Sequence, residues 1–177
     1  NYTPYEVRTI GSMILLGQKE KAAELIEYFL NDSRPKGWNH WAEVVWKDYR
    51  LPRFIGDMPH TWVGSDFINS IRMAFCYEDE FIGSLVLGLG IKEDWIKRDN
   101  GISVKNMRTL YGKISFTLKE EEEKIIISIH GDGFNMPENF IRFAYPLKEM
   151  IKPVFINGEK VIPENGYLII KEIPERK

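Results

Sequence analysis

The chain has 177 residues, 44% of them hydrophobic, which is enough for one ordinary core or two small ones and excludes a disordered composition. Lys+Arg total 24 against 26 Asp+Glu, a formal net charge of -2, so no basic surplus points to nucleic acid and no polybasic tail to an anionic membrane. Cys76 is the single cysteine, which excludes an internal disulfide framework and any multi-cysteine zinc site and favours a reducing, cytoplasmic setting.

Thr3, Pro4 and Glu6 read as an N-cap, a first-turn proline and a capping-box glutamate, so a helix is expected to begin here. Val7, Ile10, Ile14 and Leu15 recur at helical spacing, Met13 and Leu16 widen the apolar face, and Gly17 ends it. After Gln18-Lys19-Glu20, a second amphipathic helix sets Ala22, Ala23, Leu25, Ile26, Phe29 and Leu30 against Lys21, Glu24 and Glu27 and stops near Asn31. So short a link makes the pair a helical hairpin. Its apolar arcs are broad enough to call for further helices as neighbours.

Ser33-Arg34-Pro35-Lys36-Gly37 breaks the pattern, and an unusual stretch follows. Between Gly37 and Trp62 stand four of the five tryptophans, Trp38, Trp41, Trp46 and Trp62, with two of the three histidines, His40 and His60, and with Glu43, Asp48 and Asp57. Pro52, Gly56 and Pro59 forbid a long regular element, so an ordered loop over 33–63 is expected, and long ordered loops are usually functional. A third helix is expected from Gly64-Ser65-Asp66, with Phe67, Ile68, Ile71, Met73, Ala74 and Phe75 inward.

Beyond Glu80 the apolar period changes to two. Leu85-Leu87-Leu89, Ile114-Phe116-Leu118, Ile125-Ile127-Ile129, Ile141-Phe143-Tyr145 and Leu168-Ile170 read as strands, and Asn157-Gly158 is a strong hairpin signal. The fold class is therefore α+β: helices over 1–80, then an antiparallel β-sandwich over 81–177.

Several motifs have plain structural readings. Gly88-Leu89-Gly90 lacks the third glycine of a dinucleotide fingerprint, since Glu93 occupies that position. His130-Gly131-Asp132-Gly133 lacks the ligand series of a calcium loop and reads as a strand-end turn. Glu120 to Glu123, between lysines, reads as a solvated hairpin tip.

The aromatic loop invites chemistry. Indole rings pack on the C–H faces of sugars while Asn, His, Glu and Asp side chains match hydroxyls, so carbohydrate is the expected partner. The competing structural reading is a buried loop core with satisfied polar atoms. A zinc site from His40 and His60 with Glu43 or Asp57 has suitable residue types but no recognised spacing, and neither metal nor cofactor is expected.

The helical hairpin, the tryptophan-rich loop with Glu43, Met58-Pro59-His60-Thr61-Trp62-Val63-Gly64-Ser65 opening a helix, and Tyr111-Gly112-Lys113-Ile114-Ser115-Phe116 in a terminal β-domain together resemble the carboxyl end of six-hairpin glycosidases, bacterial α-L-rhamnosidases in particular. The resemblance covers nearly the whole chain in short motifs. It implies that residues 1–80 close an (α/α)6 toroid, that Glu43 is an acid/base candidate and that His60 binds sugar, with Trp38, His40, Trp41, Asp57 and Trp62 around them. Ala42 stands where the family commonly has a Trp before its Glu, and Pro59 where an Asn is common, which leaves open a second role for Glu43, as a ligand for sugar hydroxyls. The resemblance further implies an earlier part of the same polypeptide, or another subunit, as partner, and an isolated chain without activity. The alternative is a non-catalytic carbohydrate-binding or protein-interaction module.

Overall fold

The computed structural model describes residues 4–32, 36–48, 50–51, 55–148 and 152–175. The Thr3 cap, Ser33-Arg34-Pro35 and Pro52 lie outside the described residues. The chain divides into two units, Asn1–Ala74 and Phe75–Lys177. The fold is α+β, with helices and two sheets; a toroid of helical hairpins is not seen among the described residues.

In the first unit, Pro4 opens a 3-10 turn, Pro4–Val7, that runs into α1, Arg8–Leu15; α2 is Lys19–Asn31 and α3 is Thr61–Phe75. Gly17, at φ +72°, turns the chain between α1 and α2. Helix α2 folds back far enough to touch both α1 and the 3-10 turn, the geometry of a hairpin. Val7, Ile10 and Ile14 meet a core that also holds Ala22, Phe29, Ala42, Val45, Val63 and Ala74. Helix α3 comes close to α1 at Gly11, where a Cβ would lie 2.7 Å from the Met73 sulfur and 3.7 Å from the Ser70 Cα. Only a residue without a side chain admits that approach without displacing Met73.

Two expectations for this unit need correction. Helix α3 begins at Thr61, three residues before Gly64, because the Gly64 N–H already donates to the His60 carbonyl at 3.1 Å. The inward faces are also narrower than the sequence suggests: Leu15, Leu16, Leu30 and Ile68 are exposed, Ile68 at 65%. Val7, Ile14 and Phe29, by contrast, are buried.

Among its described residues the second unit has nine strands and one short helix, α4, Glu93–Ile96. β1, Cys76–Asp79, β2, Ser84–Leu87, β6, Ile141–Ala144, and β9, Tyr167–Ile170, form one sheet in the order β1-β2-β6-β9. β3, Ile102–Thr109, β4, Gly112–Glu121, β5, Lys124–Asp132, β7, Val154–Ile156, and β8, Glu159–Val161, form the other in chain order. Ile114, Phe116 and Leu118 of β4 and Ile125, Ile127 and Ile129 of β5 share one core with Leu85 and Leu87 of β2, Ile141 and Phe143 of β6, and Leu168 of β9. Phe116 meets Phe143 edge-on at 5.3 Å between ring centroids, joining the two sheets.

The sheets are not wholly antiparallel. β2 runs parallel to β6 and β5 parallel to β7, because in each case the intervening strands belong to the other sheet. β1 falls before Glu80, inside the stretch assigned to helices. β3 carries a register shift between Val104 and Met107, where Asn106 adopts φ +52° and its N–H donates to the Ser115 hydroxyl at 2.9 Å. Gly88, at φ +73°, is a turn against Phe143, whose ring would lie 2.9 Å from a Cβ there. Asp132 ends β5 in an ion pair with Lys113 at 2.9 Å. Glu122 turns the β4–β5 tip at φ +52°, yet Glu120 is not simply solvated: it pairs with Lys152, and its side chain is only 13% exposed.

The Asn157-Gly158 turn is present, with both residues at positive φ. Asn157 does more than turn. Its backbone N–H donates to the Ile127 carbonyl at 2.9 Å, its Oδ1 accepts from the Ile129 N–H at 2.9 Å and its Nδ2 donates to the Ile129 carbonyl at 3.0 Å, so a side-chain amide continues the β5–β7 pairing. Replacing Asn157 with Ala removes both side-chain bonds and is expected to destabilise the protein by about 1–3 kcal/mol, read as a lower urea midpoint, while Asn157→Asp, which keeps only the acceptor, falls between.

Candidate functional site

The aromatic loop folds into two paired arms. The Glu43 N–H donates to the Asp57 carbonyl at 2.9 Å, the Gly56 N–H to Val44 at 2.8 Å, and Val45 bridges Ile55. The next bond runs from the His60 N–H to the Trp41 carbonyl at 2.7 Å, so the second arm holds one extra residue around Met58–Pro59, whose peptide is cis. Ala42 and Val45 are buried, and Trp41 lies against Phe67 at 5.0 Å and Phe29 at 6.5 Å. Trp41 therefore anchors the first arm on α2 and α3. Gly56 leaves room for the catalytic candidate: a Cβ there would stand 3.1 Å from the Val44 nitrogen and 3.3 Å from Glu43 Oε2.

This pairing sets Glu43 on one arm and His60 at the end of the other, with His60 also accepting the first helical bond of α3. His60 meets Tyr5 of the amino-terminal turn. The Tyr5 hydroxyl lies 3.4 Å from His60 Nε2, with the rings edge-on at 5.5 Å. Trp62, one residue into α3, presents its ring to His60 at 6.1 Å and is 70% exposed. The Arg8 guanidinium sits 5.0 Å over the Tyr5 ring and bonds Asp66 at 2.6 Å. Loss of water raises the Tyr5 pKa above its ordinary value, and the Glu43 charge raises it further; Arg8 opposes this, and Asp66 adds to it. The phenol stays protonated at neutral pH. His60 Nδ1 is buried and has no hydrogen-bond partner among the described residues.

The remaining sequence candidates stand apart from this cluster. Trp38 is exposed at 58%, His40 is exposed, and Asp57 contributes its carbonyl to the loop pairing while its side chain faces solvent. Trp41 serves packing. Asp48 accepts from the Arg50 N–H at 2.9 Å in a local turn. His40, His60, Glu43 and Asp57 do not assemble: among the described residues no three His, Cys, Asp or Glu side chains come together as a metal ion would require. No helix among them is long and apolar enough to cross a membrane.

Sequence reading missed Tyr5, Arg8 and Asp66. Tyr5 lies 55 positions from His60, and no local pattern announces a contact at that separation. The chain matches no protein-family model, no curated protein and no solved structure.

The Tyr5–Glu43 coupling is measurable. In an alkaline absorbance titration, the component lost in Tyr5→Phe should ionise above the ordinary tyrosine range. Glu43→Gln should bring that component part-way down, because desolvation remains when the carboxylate charge is gone. An unmoved component would mean that Glu43 does not face Tyr5.

Proposed function

We propose that the Tyr5–Glu43–His60–Trp62 cluster is one wall of a saccharide pocket, and that the chain is the closing part of a glycoside hydrolase of α-L-rhamnosidase type. The observation that carries this reading is the contact of His60 with Tyr5 beside the exposed Trp62 ring, at a position where the Glu43 charge is felt. An exposed indole offers the apolar face that a pyranose needs, and the neighbouring imidazole and carboxylate offer partners for its hydroxyls. With the phenol donating to Nε2, the His60 ring hydrogen would sit on Nδ1, a donor without a partner among the described residues.

Glycoside cleavage by inversion uses two carboxyl groups about 6.5–9.5 Å apart, one activating water and one protonating the leaving oxygen. Glu43 is proposed as the base. Asp66 is the other carboxylate beside Tyr5, but its bond to Arg8 holds it as a structural anion. The general acid then comes from elsewhere, from an earlier part of the same polypeptide or from another subunit, and the helices of the first unit become the last of an (α/α)6 toroid. Water attacks the anomeric carbon as Glu43 takes its proton, while the acid delivers a proton to the departing oxygen.

Glu43 also suits a second reading, in a binding module without chemistry. One substitution separates them. In the polypeptide that also carries the acid, Glu43→Gln should lower kcat about 10²–10⁴-fold with KM little changed. Trp62→Ala should instead weaken binding of L-rhamnose-terminated saccharides about tenfold or more. Unchanged turnover in Glu43→Gln would leave only the binding module.

A further inference from the structure

The second unit holds a groove of about 670 Å³, a volume in the range of ligand sites, bounded by the β1–β2 turn, the 137–140 turn and the 164–165 turn. The geometry points to a neutral saccharide as its occupant. This inference stands apart from the Glu43 cluster and does not need it.

Phe81 lines the groove and is fully exposed, though its backbone is fixed. Asp79 Oδ1 accepts from the Phe81 and Ile82 N–H groups, both at 3.2 Å. Asn139 binds the same turn from the other side, its Nδ2 donating to the Ile82 carbonyl at 2.6 Å and its backbone N–H to Gly83 at 3.0 Å. Phe140 also lines the groove and adopts φ +63°, a conformation that a bulky residue rarely takes. Such residues gather at ligand sites, where the surroundings hold them in place. Two rings are thus presented on pinned turns at one surface, where a ring free to choose would be buried.

The polar lining decides between ligand classes. Glu80, Glu138 and Glu164 oppose a phosphate, a nucleotide or an acidic sugar. An organic cation would meet the chain's own cations here: Lys171 lies 5.7 Å from the Phe140 centroid, and the Arg142 guanidinium is itself part of the lining. What remains is the uncovered Phe81 ring with donors from Arg142 and Asn165 and acceptors from Glu138 and Glu164. An apolar face ringed by both donors and acceptors, with charges of both signs, is the complement of a neutral pyranose.

The test titrates the full chain, observed by two-dimensional NMR, with cellohexaose and xylohexaose, with a hexamer of galacturonic acid, and with spermidine. At least one neutral hexamer should shift resonances around Phe81 and Phe140. Phe81→Ala, an exposed substitution that leaves the core untouched, should weaken that binding about tenfold or more, and Phe81→Trp should retain it. Trp62→Ala should leave it unchanged. Loss in Trp62→Ala but not in Phe81→Ala would assign all sugar binding to the first unit and overturn the groove; binding of spermidine or of the acidic hexamer alone, or no shift at Phe81 with any neutral hexamer, would overturn it too.

Discussion

The pairing of the two loop arms is the constraint on which the candidate site depends. Four main-chain contacts, from Val45–Ile55 to the His60–Trp41 bond, convert a proline-interrupted segment into a short ladder that carries Glu43 on one arm and His60 at the end of the other. A loop of this length left unpaired would carry unsatisfied backbone groups and no fixed geometry. The ladder is held in turn by Trp41, wedged against Phe29 and Phe67, and by the buried Ala42 and Val45. Burying side chains of this kind contributes roughly 1.5–3 kcal/mol for each large one, more than any single polar contact in the cluster. The tryptophans thus divide their labour. Trp41 fixes the scaffold, and Trp62 stays exposed because the start of α3 turns it outward.

A similar division governs the second unit. The isoleucines of β5 and the apolar positions of β4 supply a core thick enough to join two sheets, and the turns that close it are free to carry unusual residues. Positive-φ residues stand in these turns and at the β3 register shift: Asn106, Glu122, Phe140, Asn157 and Asn165. Four are asparagine or a glutamate at a hairpin tip, residues with a local reason for that conformation. Phe140 has none, which is why its groove stands out from the other turns.

Much of the architecture was legible from periodicity. The helical hairpin, the strands centred on Ile114–Leu118 and Ile125–Ile129, and the Asn157-Gly158 turn follow from spacing and turn chemistry, since these are local properties. The failures have physical causes. β1 is four residues, Cys-Tyr-Glu-Asp, without apolar alternation, and is defined only by its partner β2. β3 is hidden by its register shift at Asn106. Alternation reports which face a residue takes and is blind to strand direction, so the parallel pairs could not be read. β2 broke the rule differently, with Val86 buried alongside Leu85 and Leu87. In the loop, residue types marked the region, but which of them converge depended on pairing and on Tyr5, both non-local.

The charges around Tyr5 show why a phenol suits that position. A lysine there would pair with Glu43 and hold the carboxylate as a spectator, as Arg8 holds Asp66 at 2.6 Å. An aliphatic residue would leave His60 Nε2 without its partner at 3.4 Å. Tyrosine avoids both outcomes: its ring accepts the Arg8 cation on one face, its hydroxyl meets the imidazole, and its raised pKa keeps it neutral beside Glu43. Arg8 is thereby spent on Asp66 and the Tyr5 ring, and among the described residues no ion pair engages Glu43. The cluster thus places a neutral hydrogen-bonding group at the position where a lysine would have brought a second cation.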